Sequence, residues 1–351
     1  MSRAPARPGK SVNCRTLTEP QGFILAKKSN LRFQTAAELS VIHASYVIGT
    51  GARCTDKATE DKLSAPTSQI NTRLASTMAD VPGFWSALFA EVAAGASLKL
   101  ACEEALAIAG CSELQIEATA AALCSQLDEC RIALANRFPK LQEQLKLRAG
   151  PLRDRWQTYG PGMLIETAKL IWHSTPPDGW WPETIDCLLV QPFRGGDGGF
   201  DSGSRRIWIE AMLTDPDPVV TEVTRLAYYA TQVAIGRHLE QSLGPGPQID
   251  HPEGFGSGTR RHTLLPWDLG SVPVVLQAAF NLGLHSQKDL PIGKAITLWR
   301  LGDEAVAETT EAWWKQWKDR NAAMPVSLKG LSEMLQPLAQ RRQASRLQDP
   351  I

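Results

Sequence analysis

The sequence predicts an α+β protein that is predominantly helical and contains a small β-sheet. Apolar residues recur at three- and four-residue spacing over most of the chain after Pro82, a pattern typical of amphipathic helices. Two short apolar runs within residues 185–213 have instead the length and composition of buried strands. The composition, 43% apolar and 21% charged over 351 residues, is that of an ordinary globular protein.

The first 77 residues differ from the remainder of the chain. They contain 11 Lys and Arg against 5 Asp and Glu, whereas residues 78–351 contain 26 against 32. Because glycine and proline interrupt this segment and its apolar runs are short, we expect residues 1–77 to be a disordered or poorly packed extension. A basic, acid-poor start is also typical of an organellar transit peptide. Helical periodicity begins directly after Met78, the second methionine, so we further hypothesise that the native product starts near Met78.

Residues 78–175 form a predicted helical region. One apolar stripe runs from Leu123 to Leu145, and Pro139 within it is expected to kink or divide the helix. The Gly-Pro pair at 150–151 predicts a break. Two further helices are predicted at 152–159 and 163–172, separated by the Gly-Pro-Gly at 160–162.

Residues 176–345 are predicted to combine the sheet with several helices. Strands are predicted at 185–190 and 206–213, joined by a mobile glycine-rich loop at 194–203. Asp217 and Pro218 suit the N-cap and the first position of the helix that follows. Residues 244–262 are predicted to be irregular, and helices are predicted again at 272–282, 291–301, 303–317 and 328–341.

Common metal and nucleophile motifs are missing from the sequence. It contains no His-Glu-x-x-His, Cys-x-x-Cys, Gly-x-Ser-x-Gly or phosphate-loop pattern, so we predict no metal and no cofactor. The remaining candidates for metal ligands are His238, His251 and His262. The seven cysteines, odd in number and irregularly spaced, are expected to be free thiols in a reducing cytoplasm.

Charge and hydropathy argue against two classes of partner. Lys and Arg number 37 and so do Asp and Glu, which leaves no positive excess for nucleic acid. No apolar stretch approaches the ~20 residues that span a bilayer, so a membrane is not predicted as a partner either. A protein partner remains open.

Two classes of function are compatible with these observations. The favoured one is a non-catalytic interaction or scaffold protein. The alternative is a metal-independent hydrolase with a dispersed site around the loop at 194–203, whose candidate catalytic residues are Glu210, Arg206 and Tyr229, with Tyr228 beside them. A deep pocket that joins Glu210, Tyr229 and residues from 250–268 would favour the enzyme, whereas a filled core at these residues would favour the scaffold.

Three stretches of the chain resemble a family of uncharacterised bacterial proteins associated with planctomycetes. They lie within residues 152–164, 189–196 and 209–227, and the resemblance covers roughly residues 78–300. It implies a bacterial cytoplasmic protein and supports a start near Met78. The family has no activity that we can name, so the resemblance supplies no catalytic residues.

The order of elements around residue 200 also resembles that of the zincins. A glycine-rich loop, an amphipathic strand, a short proline-containing turn and a long helix surround a zincin active site, and the helix there carries His-Glu-x-x-His. The corresponding window here is residues 225–229, which begins with Arg225. Because arginine has no free lone pair for zinc, this resemblance implies a degenerate zincin-like pseudoenzyme without its metal site.

Overall fold

The computed structural model describes residues 29–173, 176–243, 265–286, 289–318 and 322–348. Within these ranges the chain forms eleven α-helices and one four-stranded sheet, which confirms the predicted, predominantly helical α+β class. No helix in the described ranges is both long and apolar enough to cross a bilayer.

Four strands and eleven helices follow one another along the chain. The strands are β1 (Asn30–Thr35), β2 (Thr184–Val190), β3 (Gly198–Asp201) and β4 (Arg206–Glu210). The helices are α1 (Ala37–Gly49), α2 (Lys57–Ser76), α3 (Val81–Ala94), α4 (Leu98–Ile108), α5 (Glu113–Arg137), α6 (Leu141–Trp172), α7 (Glu222–Leu243), α8 (Trp267–Asn281), α9 (Ile292–Leu298), α10 (Glu304–Trp317) and α11 (Met324–Gln348).

The sheet has the strand order β1-β2-β4-β3. β1, β2 and β4 run parallel, and β3 pairs antiparallel with β4 at one edge. β1 forms the other edge and joins a strand that follows it by about 150 residues, with Asn30 opposite Thr184.

Each face of the sheet contacts its own apolar core. Alternating residues of β2 and β4, among them Ile185, Leu189 and Ile207, belong to a core shared with α6–α11. On the opposite face, Val190 and Trp208 join a core formed mainly by α1–α5. The central strands are therefore covered on both sides, which explains their near-continuous apolar sequences.

Residues 29–77 do not form the poorly packed extension that the sequence predicts. They form β1, α1 and α2, and the consecutive residues Leu39–Val47 of α1 are all buried. α1 lies between the sheet and the helices α2, α3 and α5, so it has no solvated face and no amphipathic stripe. The prediction is therefore wrong for residues 29–77, while residues 1–28 lie outside the described ranges.

The long helix α6 also differs from the prediction. Pro139 lies between α5 and α6, as predicted, but neither Pro151 nor Pro161 ends the helix. Each proline removes a backbone hydrogen bond. The helix continues because its buried face, which includes Leu145 and Trp156, packs into the core.

Candidate functional site

Glu210 ends β4, and its carboxylate is fully buried. Oε1 accepts hydrogen bonds from the backbone N–H groups of Phe193 (2.6 Å) and Arg194 (2.7 Å). Oε2 accepts a third from the N–H of Gly196 (2.6 Å). Both carboxylate oxygens are therefore occupied by the glycine-rich loop, and Glu210 sets the conformation of that loop.

The loop can approach Glu210 only because of its glycines. Gly195 and Gly196 have φ values of +77° and +108°, a region that favours glycine. A Cβ atom on Gly196 would lie 2.8 Å from Cγ of Pro216 and 3.3 Å from Nη1 of Arg225. The turn that precedes α7 therefore packs directly on the loop backbone.

His43 lies beside this carboxylate and comes from the middle of α1. Its ring is fully buried, with Nδ1 3.8 Å from Oε1 of Glu210 and Nε2 4.0 Å from Oδ2 of Asp197. These distances exceed that of a hydrogen bond, and neither ring nitrogen has a hydrogen-bond partner among the described residues. The imidazole is enclosed by three aromatic rings, those of Phe89, Phe193 and Trp208.

Asp197 links this region to two arginines. Its carboxylate lies 3.0 Å from Nη1 of Arg194 and 3.0 Å from Nη1 of Arg300. Arg300 also donates to the carbonyl of Gly196 (2.9 Å). Burial alone would raise the pKa of Asp197, but His43 and the two guanidinium groups lower it to about 2.

A second buried ion pair comes from the first turn of α7. Glu222 and Arg225 are 3% and 1% exposed, and Nη2 of Arg225 lies 3.4 Å from Oε1 of Glu222. Neither carboxylate oxygen of Glu222 has a hydrogen-bond partner among the described residues. Burial raises the pKa of the Glu222 carboxyl, and the charges of Glu210 and Asp197 raise it further.

These groups form one buried charge cluster at the carboxyl end of the parallel strands. We use that name for seven residues: His43, Arg194, Asp197, Glu210, Glu222, Arg225 and Arg300. Three carboxylates and three guanidinium groups balance one another in it. Their formal charges therefore sum to zero, while the polar atoms of His43 and the carboxylate oxygens of Glu222 keep no hydrogen-bond partner among the described residues.

Of the candidate catalytic residues, Tyr229 lies within electrostatic reach of Asp197, Glu222 and Arg225, whereas Arg206 lies apart from the cluster. Tyr229 is buried under β3, where its ring packs against Phe200 and close to Gly198, and burial raises its pKa. Arg206 begins β4, four residues and about 13 Å of strand from Glu210. Its Nη1 donates to the carbonyl of Ala93 (3.3 Å) at the end of α3.

The candidate metal ligands are likewise not assembled in the described structure. His238 lies on α7 between the rings of Trp172 and Trp180. His251 and His262 lie outside the described residues. In the part of the chain that is described, no three His, Cys, Asp or Glu side chains group in a way that could hold a metal ion.

No protein-family model, curated protein or solved structure shows a significant match to this chain. The resemblances to a planctomycete family and to zincins therefore remain expectations from the sequence. The geometry of the described residues is what bears on function.

The sequence does not identify most of the buried charge cluster. His43 and Asp197 come from a segment and a loop that are predicted to be loosely packed. Glu222 and Arg225 could have been identified as a buried ion pair, because two opposite charges three residues apart interrupt the apolar stripe of α7. Arg300 follows a short helix, and its sequence context does not indicate that it belongs to the cluster.

An open cleft lies apart from the buried charge cluster, between β1 and α6. It has a volume of about 490 Å³. Phe33, Gln34, Thr35 and Leu189 line it from the sheet, and Lys146 and Arg153 line it from α6. Both cationic side chains are exposed.

Proposed function

We propose that this chain is a non-catalytic interaction protein of the bacterial cytoplasm that binds a protein partner and uses no metal or cofactor. One observation carries the proposal. The carboxylate of Glu210, the leading catalytic candidate, is fully buried and already accepts three backbone hydrogen bonds.

The other acid–base groups support the same proposal. A general acid or base must come within hydrogen-bond reach of a substrate. His43 between Glu210 and Asp197 has the composition of an acid–base site, but its ring is fully buried among aromatic side chains. Glu210 is bound by the loop backbone and Asp197 by two guanidinium groups, which is the arrangement of a structural cluster that fixes a loop.

The order of elements supports a relation to a zincin-like ancestor that has lost its metal. A glycine-rich loop, the strand β4, a turn with Pro216 and Pro218, and the long helix α7 follow one another here. Arg225 in the first turn of α7 cannot ligate zinc and instead pairs with Glu222. A pseudoenzyme of this kind acts by binding.

The substitution Glu210→Gln tests the structural role of this residue. We expect it to destabilise the protein by about 2–4 kcal/mol, because an amide cannot accept the same three charge-assisted hydrogen bonds. The amide hydrogens of Phe193, Arg194 and Gly196 should exchange faster by mass spectrometry or NMR. Glu117→Gln on the exposed face of α5 is the matched control and should change neither quantity.

The hydrolase alternative predicts a different outcome for the same pair of variants. It requires a turnover of ester, amide or phosphoester substrates that Glu210→Gln abolishes while stability and loop exchange stay unchanged. That combination would overturn the proposed function.

A further inference from the structure

We propose that the outer edge of β1 and the adjoining face of α6 form a docking groove for an extended, acidic peptide segment of a partner protein. This inference rests on the proposed interaction function and names the class of ligand. The groove is the cleft lined by Phe33, Gln34, Thr35, Lys146, Arg153 and Leu189.

The first component is an open backbone edge. The N–H of Asn30 donates to the carbonyl of Glu183, and the N–H of Ala36 donates to the carbonyl of Leu189. Because backbone polar groups alternate in direction along a strand, the even-numbered residues of β1 face β2.

The odd-numbered residues of β1 therefore direct their N–H and C=O groups away from β2. These are Leu31, Phe33 and Thr35; Leu31 is buried in the core, Phe33 and Thr35 are half-buried, and β1 has no second strand neighbour among the described residues. An edge of this kind is a template for one more strand. Peptide addition to such an edge takes its affinity from main-chain hydrogen bonds.

The second component is a pair of cations that face this edge. Lys146 and Arg153 are seven residues apart on α6, so they lie on one face, about 10 Å apart along the helix. Gln142, one turn before Lys146, donates from Nε2 to Oγ1 of Thr35 (2.6 Å) and so fixes this face beside β1. Neither cation has an acidic partner among the described residues.

The open edge of β1 favours a peptide in an extended conformation, and the two cations of α6 favour one with acidic side chains. Side chains on one face of a strand recur about every 7 Å, so carboxylates two or four residues apart bracket the 10 Å between the two cations. The half-buried ring of Phe33 lies at the same cleft and offers apolar contact to an intervening side chain. Residues 1–28 of this chain contain six Lys and Arg against one Glu, so their charge is the wrong one for this groove.

Binding of a synthetic peptide to the full-length protein tests the inference. The probe is a fluorescent ten-residue peptide that alternates glutamate with valine, measured by fluorescence anisotropy. We expect saturable binding that the double variant Lys146→Glu/Arg153→Glu weakens about tenfold or more. The matched control Lys62→Glu/Arg73→Glu changes the charge equally, at exposed positions of α2, and should leave the affinity unchanged.

Two further measurements separate strand pairing from simple charge attraction. Methylation of alternate peptide nitrogens should abolish binding, because it blocks pairing with the edge. The amide hydrogens of Phe33 and Thr35 should become protected by peptide, whereas those of Arg32 and Gln34, which already face β2, should not change.

Several outcomes would overturn the inference. They are absence of binding, equal binding of a peptide with lysine in place of glutamate, insensitivity to N-methylation, and equal loss of affinity in the α2 control. In each case the groove assignment fails. The proposed interaction function fails separately, through a turnover that Glu210→Gln abolishes.

Discussion

Gly196 illustrates how a single residue sets the geometry of the buried charge cluster. Its φ is +108°, and a Cβ atom at this position would lie 2.8 Å from Cγ of Pro216, so there is no room for a side chain. We expect Gly196→Ala to destabilise the protein by about 1–3 kcal/mol, measured by urea unfolding. Gly150→Ala is the control, since that glycine lies inside α6 with nothing near its Cβ position. It should stabilise the protein by about 0.5–1 kcal/mol.

Asp197 makes the stability of the protein depend on pH below about 4. Its folded-state pKa of about 2 lies below the ordinary value of 3.8, so its stabilisation is complete above about pH 4 and is lost as the pH falls through 2. Over this interval the wild type should lose roughly 2 kcal/mol more unfolding free energy than Asp197→Asn. The raised pKa of Glu222 acts with the opposite sign, but it takes effect above the ordinary value of 4.5 for this carboxyl and therefore outside this interval. Parallel stability curves for the two proteins would show that Asp197 is not held as an anion by its neighbours.

At the level of single residues, the sequence indicates which side chains are candidates for a site, but it does not indicate which other side chains surround them. Glu210 is recognisable in the sequence as a candidate site residue, because an acidic side chain ends an apolar strand. Its surroundings are not predictable, since His43 beside its carboxylate and Arg300 on the Gly196 carbonyl come from opposite ends of the chain. Which groups share a buried site depends on long-range packing that local patterns do not encode.

Among the elements, α6 is the one whose continuity conflicts with its sequence. Pro151 is exposed and costs the helix a backbone hydrogen bond. Pro151→Ala should therefore stabilise the protein by about 1–2 kcal/mol, after allowance for the greater freedom of the unfolded alanine chain. The control is Pro82→Ala near the start of α3, where proline is well tolerated and little change is expected. A destabilised Pro151→Ala variant would mean that the proline serves the packing of α6.

Prediction of elements succeeds where one face meets solvent or where a strand is fully apolar. The apolar runs locate β2 and β4, and Pro139 locates the division between α5 and α6. β3 escapes prediction because it consists of Gly198–Asp201, within a glycine-rich stretch. β1 is likewise not predicted, although Leu31 and Phe33 alternate with polar residues in the pattern of a half-buried edge strand.

For the whole molecule, the N-terminal helices complete one of two cores. Leu39, Val47 and Leu63 are buried in the same cluster as Phe84 and Leu123. Removal of residues 1–77 should therefore expose this core and abolish cooperative thermal unfolding, which calorimetry would detect. A chain that lacks only residues 1–28 keeps every described element and is the comparison. A cooperative, wild-type-like transition in the chain that lacks residues 1–77 would contradict this role of α1 and α2 in the core.

The fold class was predictable because composition and periodicity are properties of the chain as a whole. The strand order was not, because each sheet partner of β2 is fixed by packing on both faces of the sheet. The open edge of β1 is a result of that order, and so it also could not be located from local patterns.

The pairing of β1 with β2 has a consequence for the folding of this protein during its synthesis on the ribosome. Arg32 and Asp186, which meet across that pair, are 154 residues apart. At a synthesis rate of about 5–20 residues per second, the first strand leaves the exit tunnel roughly 8–30 s before its partner. Throughout that time the backbone groups of residues 30–35 that later pair with β2 have no strand partner, which leaves this segment open to holding chaperones.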